Sequence, residues 1–423
     1  MLKAKRYRYQ ICLIIFLSYI LVFFHRLCPA VIALDMQADF EVSSTLLGVL
    51  GSAYFYPYAI MQLPTGLLAD SWGPRKTVST FFLLASGGSV LMGLAPNLGL
   101  AIIGRVMVGT GVATLFVCNY KLLAEWFCPR RFVIMGGIFM AMGGVGALSS
   151  SVPLAWLSNR LGWRMSLVAV GMVTLVMAVL VYARVRNRPE EKGWPPLRPT
   201  SPGHSETCIG LLEGLNQVAT ARRFWPISIW SFFAPGLSFA LGGLWGGPYL
   251  IQVYGLSKTA AGGVLSMFAV ALIVGSPVLS ALANRLGRKP VLMGCSLLLI
   301  TVCCIFFQWP SGLPLPLLYV LFFCLTLSGA TGAVAAAVSK ELFPLTIAGT
   351  AVGMVNLFPF FGGALFQIAM GAIISFGSAA EGAVPVDGYG MIFLFALAGA
   401  LSSLVAALLL TETLQGPEKG VIR

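Results

Sequence analysis

Charged residues are scarce in this 423-residue chain, and acidic residues are the scarcest of them. Asp, Glu, Lys and Arg together make up 10% of the sequence, whereas a soluble domain carries about 25%. Only 14 residues are acidic, and nearly all of them lie between apolar runs or at the ends of those runs. With 58% hydrophobic residues as well, the chain is expected to lie in a membrane rather than in water.

The residue patterns of enzymes and metal sites are also missing. The chain has two histidines and nine cysteines, and no two cysteines form a CxxC pair. Neither a nucleophile–base pair, nor a metal cluster, nor a disulfide framework follows from such a sequence. We therefore expect no enzymatic activity, no cofactor and no metal site.

Long apolar runs recur along the whole chain, at intervals that fit twelve helical spans of about 20 residues each. The spans are expected near residues 9–33, 45–68, 76–95, 99–124, 132–157, 163–184, 225–251, 260–283, 289–308, 314–338, 346–376 and 389–411.

The two halves of the chain carry imperfect copies of one motif. The segment 66–76 resembles the segment 280–289, and a shift of about half the chain superposes Asp70 on Asn284. A half-length repeat in so apolar a chain indicates a transporter built from two similar bundles. The predicted fold is an all-α membrane protein with twelve transmembrane helices in two pseudo-symmetric six-helix bundles, over residues 1–184 and 225–411. A proline-rich and charged linker over 185–224 joins them, with a short surface helix within 208–221, and a tail follows over 412–423.

The formal charge of +13 is distributed in a way that favours a membrane topology over nucleic-acid binding. Of the 27 basic residues, 21 fall in the terminal segments, the linker and the loops on one side of the predicted spans, and three fall on the other side. This asymmetry is the positive-inside rule. It predicts cytoplasmic termini in an inner or plasma membrane protein, with no role in nucleic-acid binding.

A motif with a family resemblance follows the second span. Its residues are Gly66, Asp70, Gly73, Arg75 and Lys76. The spacing resembles the G-x-x-x-D-x-x-G-x-[RK]-[RK] loop of the major facilitator superfamily, and the chain resembles that family along essentially its whole length. The resemblance implies that this loop latches the two bundles in one access state. Its weaker copy after span eight contributes Asn284, Gly287 and Arg288.

The best candidate for a substrate site is Arg26, which lies well inside the apolar run of span one. No acidic residue shares that span, so the buried guanidinium needs an anion, and a substrate carboxylate, sulfonate or phosphate ester would supply it. The segment 23–29 resembles the anion–cation symporter and sugar-phosphate permease branch, in which a span-one arginine at this place binds phosphate or carboxylate. The alternative is a salt bridge to a distant helix.

Span four carries two further elements of the family. Asn119 and Lys121 match the Asn-x-basic element of the same branch, which implies substrate binding; the alternative for Lys121 is snorkelling towards the cytoplasm. Arg105, Gly109 and Gly111 resemble the R-x-x-x-G-x-G element. We assign these three structural roles, with Arg105 bonding to carbonyls of a neighbouring span and the glycines allowing close helix contact.

Proton coupling through carboxylates is not expected. Proton-coupled members of the branch often carry acids at the places held here by His25 and Val112. His25 is also a substrate-site candidate, next to Arg26 in the chain. It either titrates during coupling or packs between helices, so a coupling proton and a coupling sodium ion both remain open.

Other polar and aromatic residues in the apolar runs are further substrate-site candidates, and each is alternatively a contact between helices. They are Tyr54 and Tyr58 in span two, Trp245 and Tyr249 in span seven, and Asn356 and Gln367 in span eleven. The glycines around Trp245 also predict an interrupted helix in span seven.

The resulting hypothesis is a monomeric secondary active transporter that moves a small organic anion by alternating access, in contact with membrane lipid. The alternative is a proton-coupled drug or metabolite efflux antiporter. Such an antiporter would usually carry a membrane acid and a G-x-x-x-G-P-x-x-G-G run in span five. Here the acid is missing, and Pro153 falls too late in the span.

Overall fold

The computed structural model describes residues 2–195, 211–378 and 385–414, and within these ranges it contains helices and no strand. In the described ranges, eleven helical segments are long and apolar enough to cross a membrane. One of them, 134–184, has 51 residues and leaves the helical conformation at Gly162, where φ is 77°. It therefore supplies two spans, and the predicted twelve-helix membrane fold is confirmed.

The first six spans occupy the described residues up to Arg184. Their helices are Leu2–Leu27 and Pro29–Phe40 in span one, Ser44–Ser52 and Phe55–Ser71 in span two, Pro74–Leu94 in span three, Leu98–Ala113 and Leu115–Trp126 in span four, Pro129–Ser149 in span five, and Val152–Arg184, which completes span five and forms span six.

The other six spans begin at Phe224. Their helices are Phe224–Ala240 and Gly246–Gln252 in span seven, Lys258–Leu265, Met267–Val270 and Ser276–Leu286 in span eight, Arg288–Gln308 in span nine, Leu315–Leu327 and Gly332–Leu342 in span ten, Leu345–Val355 and Phe358–Ser378 in span eleven, and Pro385–Leu409 in span twelve. Between the halves lie a 3-10 turn, Pro189–Lys192, and a helix, Leu211–Thr220, which confirms the short helix predicted within 208–221. Most of the predicted tail, from 415 to 423, lies outside the described residues.

Proline and glycine shape the interior of several spans. Span one breaks at Cys28 because Pro29 has no backbone N–H and cannot continue the hydrogen-bond ladder. Span seven widens into a π-helical turn over Leu241–Trp245, where its glycines had predicted an interruption, and span eight has a similar turn over Ala271–Gly275. Such turns are often found at functional sites.

The two halves of the chain touch at the end of the spans opposite the linker. There Lys258 of span eight binds Asp35 of span one, with 2.6 Å between Nζ and Oδ2. Close by, Gly247 of span seven lies directly against the carbonyl of Ala30, and a Cβ at this glycine would overlap that carbonyl. The halves are therefore closed against each other at this end.

The opposite, linker end of the fold repeats one helix cap in each half. Gly73 and Gly287, with φ of 79° and 107°, precede spans three and nine. The Asn187 side chain, which follows span six, accepts the backbone N–H of Arg75 at 2.8 Å. In the same way the Glu412 carboxylate, which follows span twelve, accepts those of Arg288 and Lys289 at 2.9 and 3.0 Å.

The Glu412 cap is charge-assisted. Partial burial raises the pKa of its carboxyl, but hydrogen bonds from the backbone N–H groups of Leu414, Arg288, Lys289 and Thr413 outweigh this effect, so the pKa lies below its ordinary value. The bonds from Arg288 and Lys289 satisfy amide groups that the first turn of span nine otherwise leaves unpaired.

We predict that Glu412→Ala lowers the free energy of unfolding by about 0.5–2 kcal/mol, the usual cost of losing an N-cap. Thermal melting of the purified protein measures the effect. Because the folded pKa is depressed, the stabilisation is present above the ordinary pKa of about 4.3 and is lost as the pH falls through the folded pKa. The difference between parent and variant should thus be full at pH 7 and shrink on acidification.

The matched control is Glu190→Ala, which removes an exposed carboxylate that follows span six. This variant should melt with the parent. If Glu412→Ala also melts with the parent at pH 7, the cap does not stabilise span nine.

Candidate functional site

The Arg26 side chain lies between the two halves of the chain, enclosed by aromatic rings. It is 3% exposed. Its guanidinium carbon lies 4.5 Å from the ring centre of Phe23 and 4.8 Å from that of Tyr58, both in the first half. Phe360 and Phe239 of the second half lie at 4.9 and 5.6 Å. We call these four rings the aromatic cage. A cation at such distances is attracted by the ring faces.

No carboxylate of the described residues pairs with Arg26. Within residues 2–195, 211–378 and 385–414, no aspartate or glutamate is buried, and the four ion pairs involve other basic residues. The Nε atom of Arg26 is buried and has no hydrogen-bond partner in these ranges. Among the described residues the alternative of a salt bridge to a distant helix is therefore not found. The guanidinium carbon lies over the four rings, and the N–H groups of a guanidinium are the part suited to a bidentate anion.

A second buried arginine fixes the backbone next to Arg26. Because Pro29 has no N–H, the His25 carbonyl loses its helical partner. Arg105 of span four donates to that carbonyl with an NH1–O distance of 2.6 Å, and to the Arg26 carbonyl with an NH2–O distance of 3.3 Å. Its guanidinium also lies 4.7 Å from the ring centre of Tyr54. The arginine thus bonds to carbonyls of a neighbouring span, the role expected of it.

The glycines after Arg105 stand where spans pack most closely. A Cβ on Gly109 would overlap the Tyr54 carbonyl of span two, and one on Gly111 would lie 2.5 Å from the Phe81 carbonyl of span three. These contacts hold span four, and Arg105 with it, against its neighbours.

His25 points away from the aromatic cage and into the first half. Its Nε2 lies 3.0 Å from Oγ1 of Thr174 in span six. That hydroxyl already donates to the Val170 carbonyl at 2.9 Å, so the histidine is the donor in this pair. A buried, hydrogen-bonded histidine between spans one and six fits the helix-packing interpretation better than the coupling one.

The Asn-x-basic residues of span four do not meet Arg26. Asn119 donates to Ser18 of span one, with 3.2 Å between Nδ2 and Oγ. Lys121 binds Asp70 at the linker end, with 2.5 Å between Nζ and Oδ1, and donates to the Ala69 carbonyl at 2.9 Å. Lys121 therefore bonds to residues at the family loop and not to the aromatic cage.

Eight residues were predicted to form a latch between the halves. Their hydrogen bonds and ion pairs are mainly to residues of their own half. Arg75 donates from Nε to the Tyr182 carbonyl of span six at 2.8 Å. Arg288 pairs with Glu341 at 3.0 Å and donates to Asn284 at 2.5 Å. Lys76 is exposed, and a Cβ on Gly66 would meet no atom within 4 Å.

The remaining candidates lie at several depths around the contact between the halves. Tyr54 stacks on Tyr58, with 5.6 Å between ring centres, and so adjoins the cage. Gln367 accepts a hydrogen bond from Trp245 through its backbone carbonyl at 2.9 Å, while its own buried Oε1 has no partner in the described ranges. Asn356 donates to Gln62 of span two at 3.4 Å.

Tyr249 lies away from the cage. Its hydroxyl donates to the Pro310 carbonyl, between spans nine and ten, at 2.7 Å.

Of the ten substrate-site candidates, the structure brings Tyr54 and Tyr58 to Arg26. Sequence reasoning missed Phe23, Phe239 and Phe360 as site residues. The spacing of Phe23, three residues before Arg26 on one helix face, was a usable signal; no local signal marked the other two.

Comparison with known proteins identifies the family. The family model described as Major Facilitator Superfamily matches residues 11–263 and 246–421. The chain belongs to the major facilitator superfamily. A crystal structure of a bacterial homologue of the human lysosomal transporter Spinster, in an inward-facing conformation, superposes with a TM-score of 0.74 at 19% identity and covers 95% of this chain and 96% of that one. At that identity the superposition shows the superfamily fold alone.

Among the relatives of the chain in this superfamily, two have names that state a sugar acid as the substrate. The probable L-galactonate transporter of Escherichia coli (strain K12) is 27% identical over 186 residues, which cover 44% of this chain and 41% of that protein. The probable galactarate/D-glucarate transporter GudP of Bacillus subtilis (strain 168) is 23% identical over 451 residues, covering 99% of this chain and 94% of that protein. The first match thus spans less than half of the relative's length.

We predict that Arg105 and Pro29 are coupled. Arg105→Met leaves the buried His25 carbonyl with only the weak Cys28 Sγ–H donor, 3.5 Å away, and should cost about 1–3 kcal/mol of folding free energy. In a Pro29→Ala background the new N–H at position 29 can pair with that carbonyl, so Arg105→Met should cost less there. Thermal melting of the four proteins of this double-mutant cycle measures the coupling.

Equal costs of Arg105→Met in both backgrounds would show that Arg105 does not compensate for the proline. Arg75→Met, at an arginine of span three that donates to the Tyr182 carbonyl of span six at the linker end, is the matched control and should show no coupling to Pro29.

Proposed function

We propose that the chain is a secondary active transporter that moves a small organic anion across a membrane by alternating access, with Arg26 binding the anion. The observation that carries the proposal is the guanidinium itself: it is 3% exposed, contacts both halves of the chain through the aromatic cage, and meets no carboxylate among the described residues. A substrate carboxylate at its N–H edge would complete the charge balance.

The relatives support an acidic sugar as the substrate class. Galactonate carries one carboxylate, and galactarate and glucarate carry two, on a chain of hydroxyl groups. We propose such a sugar acid as the first class to test, with phosphate esters second. Membership of a transporter family also supports the expectation that the chain is not an enzyme.

The contact between the halves supports alternating access. The end opposite the linker is closed by the Asp35–Lys258 pair and by the packing of Gly247 on Ala30. At the linker end, the family loops bond within their own halves through Asp70–Lys121 and Arg288–Glu341. We place the linker end in the cytoplasm, on the basis of the charge asymmetry, so the arrangement described here is closed to the outside.

The first prediction from the proposal concerns Arg26. Arg26→Ala should remove one partner of a buried charge pair, which costs about 3–5 kcal/mol, or roughly a hundred- to several-thousand-fold in affinity. Arg26→Lys keeps the charge but loses the planar fork and should also weaken binding markedly. Uptake and binding of radiolabelled galactarate, galactonate and hexose phosphates by proteoliposomes of the purified protein measure both effects.

The control is Arg160→Ala, at an exposed arginine that lies over Trp156 and away from the cage. It removes the same charge and should transport as the parent does. If Arg26→Ala binds the ligand as tightly as the parent, or if the transported ligand proves cationic, the anion proposal is wrong. The alternative function, a drug or metabolite antiporter, is then favoured.

A second prediction tests closure between the halves. Gly247→Ala places a methyl group on the Ala30 carbonyl, so the two halves should no longer close at that end. Galactarate uptake should fall by about tenfold or more, because raising the free-energy barrier to closure by about 1.4 kcal/mol slows transport tenfold. Equilibrium binding of galactarate should be retained. The control is Gly294→Ala, since a Cβ on this glycine of span nine meets no atom within 4 Å. Unchanged uptake by Gly247→Ala would contradict closure at this contact.

A further inference from the structure

A groove runs along the outside of the second half, at the linker end of spans seven and twelve. Its volume is about 540 Å³. Trp225 and Ile229 of span seven form one wall, and Val405 and Leu409 of span twelve form the other. Each of these four side chains is exposed over more than a third of its surface. Because both helices are membrane spans, this apolar groove faces the lipid and not the aromatic cage.

Two basic side chains lie near one end of the groove. Arg222, at the start of span seven, lines that end, is exposed and takes part in none of the ion pairs of the described residues. Lys289 of span nine reaches the same end of span twelve, where its Nζ donates to the Leu408 carbonyl at 2.7 Å. The neighbouring Arg223 points elsewhere, with its guanidinium 4.9 Å from the ring centre of Phe343.

The surroundings hold this end of the groove at the membrane surface. The Trp225 indole N–H donates to the Ala219 carbonyl at 3.1 Å and so ties span seven to the helix Leu211–Thr220. Tryptophan with one polar contact and an exposed apolar ring is typical of the boundary between lipid and water. A cation at that boundary, above an apolar groove, matches a molecule with an anionic headgroup and an acyl chain.

We propose that this groove is a binding site for an anionic phospholipid, with the headgroup phosphate on Arg222 and an acyl chain between spans seven and twelve. The site is separate from the aromatic cage and does not depend on the transported substrate. Arg222 lines the groove and Lys289 does not, so Arg222 is the residue whose charge selects the lipid. Ser402 lies in the wall of span twelve, and its hydroxyl donates to the Ala398 carbonyl of its own helix at 2.9 Å, so it contributes to the shape of the groove.

The test measures lipid binding directly on the full chain. The protein is purified in an uncharged detergent and titrated with phosphatidylglycerol or with phosphatidylcholine of the same acyl chains, and bound lipid is counted by native mass spectrometry and checked by thermal melting. The parent should bind phosphatidylglycerol more tightly and melt higher with it. Arg222→Ala should lower that affinity about fivefold, the effect of one basic residue near an anionic lipid.

Two further variants make the result specific. Arg223→Ala removes the same charge one residue away and should bind phosphatidylglycerol within about twofold of the parent, a difference of no more than about 0.4 kcal/mol. Ser402→Phe should fill the groove and reduce binding of phosphatidylglycerol while Arg222 is still present. If Arg222→Ala proves unstable, Arg222→Gln replaces it.

Three outcomes would overturn the proposal. Equal affinity of the parent for the two lipids would remove the role of charge. Equal losses of affinity for phosphatidylglycerol in Arg222→Ala and Arg223→Ala would indicate that the lipid is attracted by a diffuse basic surface. Competition by millimolar inorganic phosphate as effective as that by phosphatidylglycerol would show that the groove takes a free anion and not a lipid.

Discussion

The structure depends on a cation that is buried where the two halves of the protein meet. Removing a guanidinium from water is costly, and close attraction to an opposite charge normally offsets that cost. In the described part of the chain, Arg26 is surrounded by four aromatic rings and meets no acid. Each ring face contributes on the order of 1 kcal/mol, so the rings offset part of the cost. An anion brought by the substrate would offset the rest, which links the charge to the proposed transport.

The shape of span one follows from how that cation is held. Pro29 interrupts the helix three residues after Arg26 and leaves a carbonyl that Arg105 binds from span four. The close packing at Gly109 lets span four approach span two without a side chain between them. Arg105 is thus a structural residue, the role assigned to it from the sequence. Arg105 donates through NH1 and NH2 to two backbone carbonyls. Arg26 instead lies against aromatic rings and meets no carboxylate among the described residues, which suits it to an anionic ligand.

The architecture could be predicted from the sequence because it follows from the hydropathy of long segments and from a repeat over half the chain. Apolar runs, the repeat at Asp70 and Asn284, and the family loop all predicted twelve spans in two halves, and membership of the superfamily confirmed them. The break in span one at Pro29 was missed, since the apolar run continues through it. Phe239 and Phe360 were missed as members of the cage because their meeting depends on the packing of spans seven and eleven on span one. Lys121 matched a substrate-binding element, yet its partner Asp70 was identifiable only in three dimensions.

The central claim is that the cage between the halves recognises negative charge. Calorimetric titration of the purified protein with galactarate and with galactitol tests it most directly, because the two molecules share a six-carbon hydroxylated chain and differ in their ends, carboxylate against hydroxymethyl. The account predicts that galactarate binds and galactitol does not, with an affinity difference of at least about a hundredfold, as expected for the loss of one partner of a buried charge pair. Equal affinity for the two compounds, or preference for the uncharged one, would contradict it.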